Sequence, residues 1–176
     1  MAARDTKRMF ADELEAMMAR MPLSKVRVAD LCARCSVERR VFYYHFKDKY
    51  DLVAWIFFHD AYETDVISVE SAAEGLKKMK QDILFYKRAY EDNSQNPLWA
   101  YMHAYFVERY TKLAKEMLGT EVLDPQIGFS IRHYCFGSVA MTQEWVLQDN
   151  ITPAETVVEM MFRSMPENLR EIFFDE

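Results

Sequence analysis

The chain has 176 residues, of which 51% are hydrophobic and 14% aromatic. That is enough apolar surface to offset chain entropy in one ordinary domain, or in a small module joined to a larger one, without disulfides or a metal. Four Gly and five Pro, with no alternating run of Val, Ile and Thr, exclude the turn-rich pattern of a sandwich or barrel and predict an all-α fold.

The net charge of −6 is unevenly spread: residues 1–50 carry 11 Lys and Arg against 7 Asp and Glu, and residues 51–176 carry 11 against 21. A basic head able to approach phosphates adjoins an acidic body that phosphates repel. No apolar run approaches the roughly 18 residues that span a bilayer, and the polar N-terminus lacks the apolar segment of a signal peptide. The odd set of cysteines, Cys32, Cys35 and Cys135, suits a reducing compartment. These features predict a cytoplasmic protein with no membrane contact.

Asp5 or Thr6 can cap a first helix, in which Phe10, Leu14, Met17, Met18 and Met21 share one face and Pro22 marks the end. Val28, Leu31 and Cys32 mark a short second helix, Ser36-Val37 a turn, and 38–44 a third helix. Asp48 stands as an N-cap with Asp51 three residues on, in the manner of a capping box, and opens a long helix that bridges head to body. Four longer helical stretches follow, at about 73–91, 97–118, 126–149 and 153–173. Their punctuation is Asn93–Pro97 as a polar break, Gly119 as a C′ glycine, Asp124-Pro125 as a helix start, and Thr152 as an N-cap before Pro153. The expected division is 1–47 as a helix-turn-helix head and 48–176 as a helical body.

Two short helices that cross steeply need a small residue at the approach, a tight turn and an apolar lock. Cys32, Ser36-Val37 and the set Leu31, Val37 and Phe42 supply these in turn. The second helix then displays Arg39, Arg40, Tyr43 and Tyr44 outward, side chains able to reach base edges and phosphates in a major groove. His45 and Lys49 lie just beyond, where they can grip a nucleic-acid backbone.

The segment Phe42-Tyr43-Tyr44-His45-Phe46-Lys47-Asp48-Lys49, followed by Leu52, resembles the signature that ends the DNA-binding head of the TetR family, a match covering about fifty residues. The resemblance implies a dimeric regulator that binds double-stranded DNA. It also implies phosphate contacts from Tyr43, His45 and Lys49, and base-facing roles for Arg39 and Arg40. Two positions depart from the family pattern: Ser36 stands where Gly is usual, and Glu38 where a Ser or Thr cap is usual. Ser in a left-handed turn costs about 1 kcal/mol relative to Gly, and Glu38 places a carboxylate near phosphates, where it can instead accept from a cytosine amino group. In the body, Tyr134-Cys-Phe-Gly-Ser-Val-Ala-Met-Thr-Gln-Glu-Trp145 resembles the branch that contains dihydroxyacetone kinase regulators. That likeness implies a short body and, as in some members of the branch, control through a protein coactivator rather than a buried ligand, which leaves the mode of signalling open.

Other patterns have two readings each. Cys32-Ala-Arg-Cys35 has no second pair to complete a metal site, which leaves packing thiols or a redox sensor. The body aromatics (among them Phe57, Tyr86, Tyr90, Trp99, Tyr105, Tyr134 and Trp145) line a pocket for a small apolar ligand or simply form a core. His59, His103 and His133 are scattered singly, so no metal or other cofactor is expected. Gly137 lies within a helix, where it costs roughly 1 kcal/mol against Ala, and close helix approach is the expected compensation, either within the chain or in a dimer interface made by the last two helices. The sequence thus predicts a DNA-binding transcription regulator, dimeric on a palindrome and controlled by a small-molecule effector or a protein partner. The alternative is a helical protein-interaction module with little DNA affinity. No phosphate loop, nucleophile elbow or metal-ligand spacing suggests an enzyme.

Overall fold

Helix α1, Ala3–Met18, buries Phe10, Leu14, Met17 and Met18 on one face, as side chains spaced on a 3.6-residue period must when they share a core. The computed structural model describes residues 3–61, 67–91, 98–148 and 151–174, which hold ten α-helices, one short 3-10 turn and no strand. The expected cap of α1 lies elsewhere, because the helix already includes Asp5 and Thr6, and Thr6 is buried. Ala3 and Arg4 are strong helix formers, so the helix runs back past these weak stops.

After the 3-10 turn Leu23–Lys25 come α2 (Val28–Arg34), α3 (Arg39–His45) and α4 (Lys49–Ala61). The body comprises α5 (Val69–Gln81), α6 (Ile83–Tyr90), α7 (Leu98–Leu118), α8 (Pro125–Leu147), α9 (Ala154–Arg163) and α10 (Glu167–Phe173). α4 packs on α1 in the head and on α5 and α7 in the body, α7 lies along α8, and α5 lies along α9.

Two expected single helices are each two. The stretch at 73–91 breaks at Asp82, where ψ moves to 35°, letting α5 follow α4 and α9 while α6 turns toward α1 and α8. The stretch at 153–173 breaks before α10 because Pro166 has no N–H to donate and disfavours helical backbone at Met165. Near its start Pro153 itself takes the N-cap position, and the carbonyl of Thr152 instead accepts the Trp145 indole N–H at 3.0 Å. The expected break at Asn93–Pro97 falls outside the described residues apart from its flanks.

Other terminators are where the sequence placed them. Gly119 has φ 62°, and Thr120 N–H reaches the Lys115 carbonyl at 3.0 Å, the outer bond of a Schellman motif. Asp124 accepts from Gln126 N–H at 2.8 Å, with Pro125 in the first turn of α8.

One apolar core runs from Phe10 and Phe42 in the head through Phe57 in α4 to Tyr86, Met102 and Val139 in the body. A second cluster joins α7, α8 and α10 through Tyr110, Ala114, Ile131 and Leu169. Polar contacts also cross between head and body: the Arg88 guanidinium donates to the Met18 carbonyl at the end of α1, and the Tyr101 hydroxyl donates to Asp48.

Candidate nucleic-acid interface

The turn between α2 and α3 closes on Ser36, whose φ of 55° is left-handed. Ser36 N–H reaches the Ala33 carbonyl at 3.1 Å and Val37 N–H the Cys32 carbonyl at 3.0 Å, so the orphan carbonyls of α2 are satisfied as in a glycine-ended helix. Leu31, Cys32 and Phe42 are buried and Val37 packs against them. Phe42 meets Phe10 edge to face at 5.3 Å and Phe46 at 5.6 Å. Replacing a fully buried Phe of this kind by Ala costs roughly 3–5 kcal/mol, which measures how firmly α3 is held.

With Phe42 turned inward, Arg39, Arg40, Tyr43 and Tyr44 face solvent, and Tyr44 is 83% exposed. Arg39 lies over the Tyr43 ring at 5.8 Å and donates to its hydroxyl at 3.3 Å. Arg40 forms an ion pair with Glu38, Nε to Oε2 at 2.9 Å. Glu38 occupies the N-cap of α3, yet its carboxylate makes no cap hydrogen bond. His45 is half-buried, its ring edge-on to Tyr44 at 4.9 Å. Burial, and then the nearby positive charge of Lys7, hold its pKa below the ordinary histidine value. Lys7 itself lies over the Phe46 and Trp55 rings at 5.5 and 5.8 Å.

Lys49 is placed differently from the other five. Its ammonium donates to the carbonyls of Leu23 at 2.6 Å and Val26 at 3.2 Å, which ties the start of α4 to the 3-10 turn. The cap of α4 forms as expected at Asp48, whose Oδ1 accepts the Tyr50 and Asp51 amides at 2.8 and 3.0 Å. Asp51 accepts from Lys47 N–H at 2.8 Å, one residue outside the usual capping-box partner.

Sequence reading missed the partnerships of Glu38 with Arg40, of Lys7 with the Phe46 and Trp55 rings, of Lys49 with the Leu23 and Val26 carbonyls and of Tyr101 with Asp48. Only Glu38 with Arg40 carried a local signal, an acid two residues before an arginine. The thiols are quiet. Burial pushes Cys35 up to about 11 and Cys135 up to about 12, and raises Cys32 as well, which leaves little thiolate at neutral pH. The single histidines sit beside aromatic rings: His59 stacks on Trp55 at 4.5 Å, and His133 is near-parallel to Phe129 at 6.1 Å.

A two-helix reading unit locked on a third helix and carried by a helical bundle is the build of a helix-turn-helix transcription regulator. Residues 12–56 match the family described as bacterial regulatory proteins, tetR family, and residues 71–167 match a transcriptional regulator C-terminal region. The chain belongs to the TetR family of regulators. Among solved structures, the dihydroxyacetone kinase operon activator DhaS is similar in fold, with a TM-score of 0.61 at 16% identity over 96% of this chain and 98% of that one. No curated protein sequence matches.

Proposed function

We propose that this regulator binds a palindromic DNA operator as a two-fold dimer, with residues 1–47 as the reading head and 48–176 as the body that dimerises and receives the controlling signal. The observation that carries the proposal is the division of α3 into a buried face, Phe42, and an outward row of Arg39, Arg40, Tyr43 and Tyr44. A short helix with this division enters a major groove by its N-terminal end, setting arginines near base edges and tyrosines near phosphates. His45 lies at the edge of that row. Lys49 supports it from behind, its ammonium tying the start of α4 to the Leu23 and Val26 carbonyls.

The proposed dimer face is a groove of about 410 Å³ between α8 and α9, lined by Gly137, Met141, Trp145, Val157 and Met160 among others. Phe129, Phe136, Met141 and Met160 present apolar side chains to solvent, with Phe129 61% exposed. A Cβ at Gly137 would meet nothing within 4 Å, so no close approach among the described residues explains this glycine; its bare backbone suits approach by a second copy. Two reading heads then lie about one DNA turn apart, roughly 34–36 Å, or a multiple of it.

A pocket of about 70 Å³ among Phe57, Met102, Tyr134, Ser138 and Thr142 is far smaller than the roughly 300–1,000 Å³ that holds a drug-sized ligand. A cleft of about 300 Å³ lies instead between α1, α4 and the α5–α6 junction, where an occupant would touch head and body together. Its size supports control through that junction, by a small molecule or a protein partner that favours one head orientation over the other. Likeness to an operon activator extends the proposal to activation as well as repression.

The test is selection of bound sites from a random duplex library, followed by titration of the best site at two salt concentrations. An enriched palindrome whose affinity falls steeply with salt is the expected result. Binding that is unselective and insensitive to salt would instead establish a protein-interaction module, the reading favoured by the acidic body and by the carboxylate of Glu38 beside Arg40.

A further inference from the structure

We infer that Glu38 is a positioning residue for base reading: it holds the Arg40 guanidinium by Nε so that the two terminal nitrogens face a guanine. The inference rests on the DNA-reading function proposed above. Its starting point is the unused capping position, because Glu38 stands at the N-cap of α3 with extended backbone and makes no side-chain cap bond. Its carboxylate spans instead to Arg40 Nε at 2.9 Å. Arginine presents five N–H donors in a planar fork. With the Nε side of the guanidinium drawn to the carboxylate, the outer edge is the Nη1–Nη2 pair, whose spacing fits O6 and N7 of guanine in the major groove.

Charge decides what such a pair can do. An unpaired arginine at the front of α3 gains as much from any phosphate as from a base, so it adds affinity without selectivity. Paired with Glu38, Arg40 is close to neutral as a unit and gains little from the backbone. Its remaining hydrogen-bond capacity is directional, which favours one base. Among the described residues Arg39 has no comparable acidic buttress; it leans on the Tyr43 ring and hydroxyl, an arrangement compatible with a phosphate. The two adjacent arginines are thereby given different tasks.

In water this ion pair is worth little, because both side chains are largely exposed, at 82% and 73%. Its effect belongs to the bound state, where the groove excludes solvent and the geometry of the fork is tested against a base edge. Removing Glu38 therefore leaves folding intact and changes selectivity.

The experiment repeats the site selection with wild-type protein and with Glu38→Ala, Glu38→Gln and Arg40→Ala, and titrates each on the best site and on random duplex. Wild-type protein is expected to require guanine at one half-site position. Arg40→Ala and Glu38→Ala should each weaken that preference about tenfold. Glu38→Ala should also bind random duplex more tightly, with a salt slope steeper by about one unit as Arg40 turns to phosphate. Glu38→Gln, whose amide oxygen can still face Nε but leaves the guanidinium charge unbalanced, should keep guanine as the preferred base while binding random duplex more tightly, as Glu38→Ala does. An unchanged preference in Glu38→Ala, alongside its loss in Arg40→Ala, overturns the inference and leaves the DNA-reading function standing. A preference lost in Glu38→Ala at a position that Arg40→Ala leaves untouched also overturns it, since Glu38 then reads a base directly. If wild-type protein selects no site, the function itself fails and the inference with it.

Discussion

The Tyr101 hydroxyl, on α7, donates to Asp48 Oδ2 at 2.5 Å while Oδ1 of the same carboxylate caps α4 through the Tyr50 and Asp51 amides. One carboxylate therefore caps α4 and ties its start to α7. The Tyr101 phenol is raised well above the ordinary tyrosine value by burial first and by Asp48 next, so it keeps its proton and goes on donating. A part-buried hydrogen bond to a charged group contributes about 1–2 kcal/mol. Tyr101→Phe is expected to lose that amount in urea unfolding, and Asp48→Ala about 1 kcal/mol more because the cap goes too. Equal losses for the two variants would show that the cap adds nothing.

Lys49 separates a structural from a nucleic-acid role. Lys49→Met keeps the aliphatic stem and removes the ammonium from the Leu23 and Val26 carbonyls. The expected outcome is a loss of about 1–2 kcal/mol of stability with the salt slope of DNA binding unchanged. A slope shallower by about one unit would assign Lys49 to a phosphate.

His45 is set against protonation by burial first and by Lys7 second. The unfolded chain therefore binds more protons just below the ordinary histidine pKa of about 6.5, and stability falls as pH drops through that window. An NMR titration of His45 should show a midpoint below that value, moving upward in Lys7→Met. A phosphate at His45 has the opposite effect and favours the charged ring, so DNA affinity should rise as pH falls from about 8 to about 6. Affinity that is flat over that range removes His45 from the interface.

Met141 is half exposed on the α8 side of the groove. Met141→Glu should leave the protomer folded, within about 0.5 kcal/mol as surface changes usually are. It should also shift sedimentation from dimer to monomer and abolish cooperative binding to a palindrome. A variant that stays dimeric places the interface elsewhere.

Ser36 carries a left-handed φ that a Cβ makes costly. Ser36→Gly should raise stability by up to about 1 kcal/mol, seen as a Tm higher by about 2–4 °C for a chain of this size. An unchanged Tm would mean that the added freedom of glycine in the unfolded chain cancels the relief.

What was legible in the sequence was local. The helix-turn-helix could be read because Leu31, Ser36 and Phe42 lie close together in the chain and their spacing states the geometry directly. Gly119 and Asp124-Pro125 announced their own turns through backbone preference. The break at Asp82 was not legible, because Asp is tolerated in helices and only the competing demands of α9 and α1 bend the chain there. Pro166 breaks the last stretch by its missing N–H, although the apolar period runs on across it, and α1 runs back past Asp5 and Thr6 for want of a strong stop. Among the site residues, the outward set on α3 followed from helical period. The partners of Lys49 and Asp48 did not, since they lie 23 to 53 residues away and long flexible side chains leave no trace of such pairings in sequence.

The unbroken chain of rings from Phe10 through Phe42 and Phe46 to Trp55 makes head and α4 a lever arm without a joint. Thirteen residues at 1.5 Å each give that arm a length of roughly 20 Å. Pivoted at its body end, a tilt of only about 10° would carry the head about 3.5 Å, close to the rise of one base pair. Regulation on this scale asks for no refolding and no large opening. In the proposed dimer, a wedge a few ångströms thick in the cleft beside α4 of one protomer would put its head one base pair out of step with its partner.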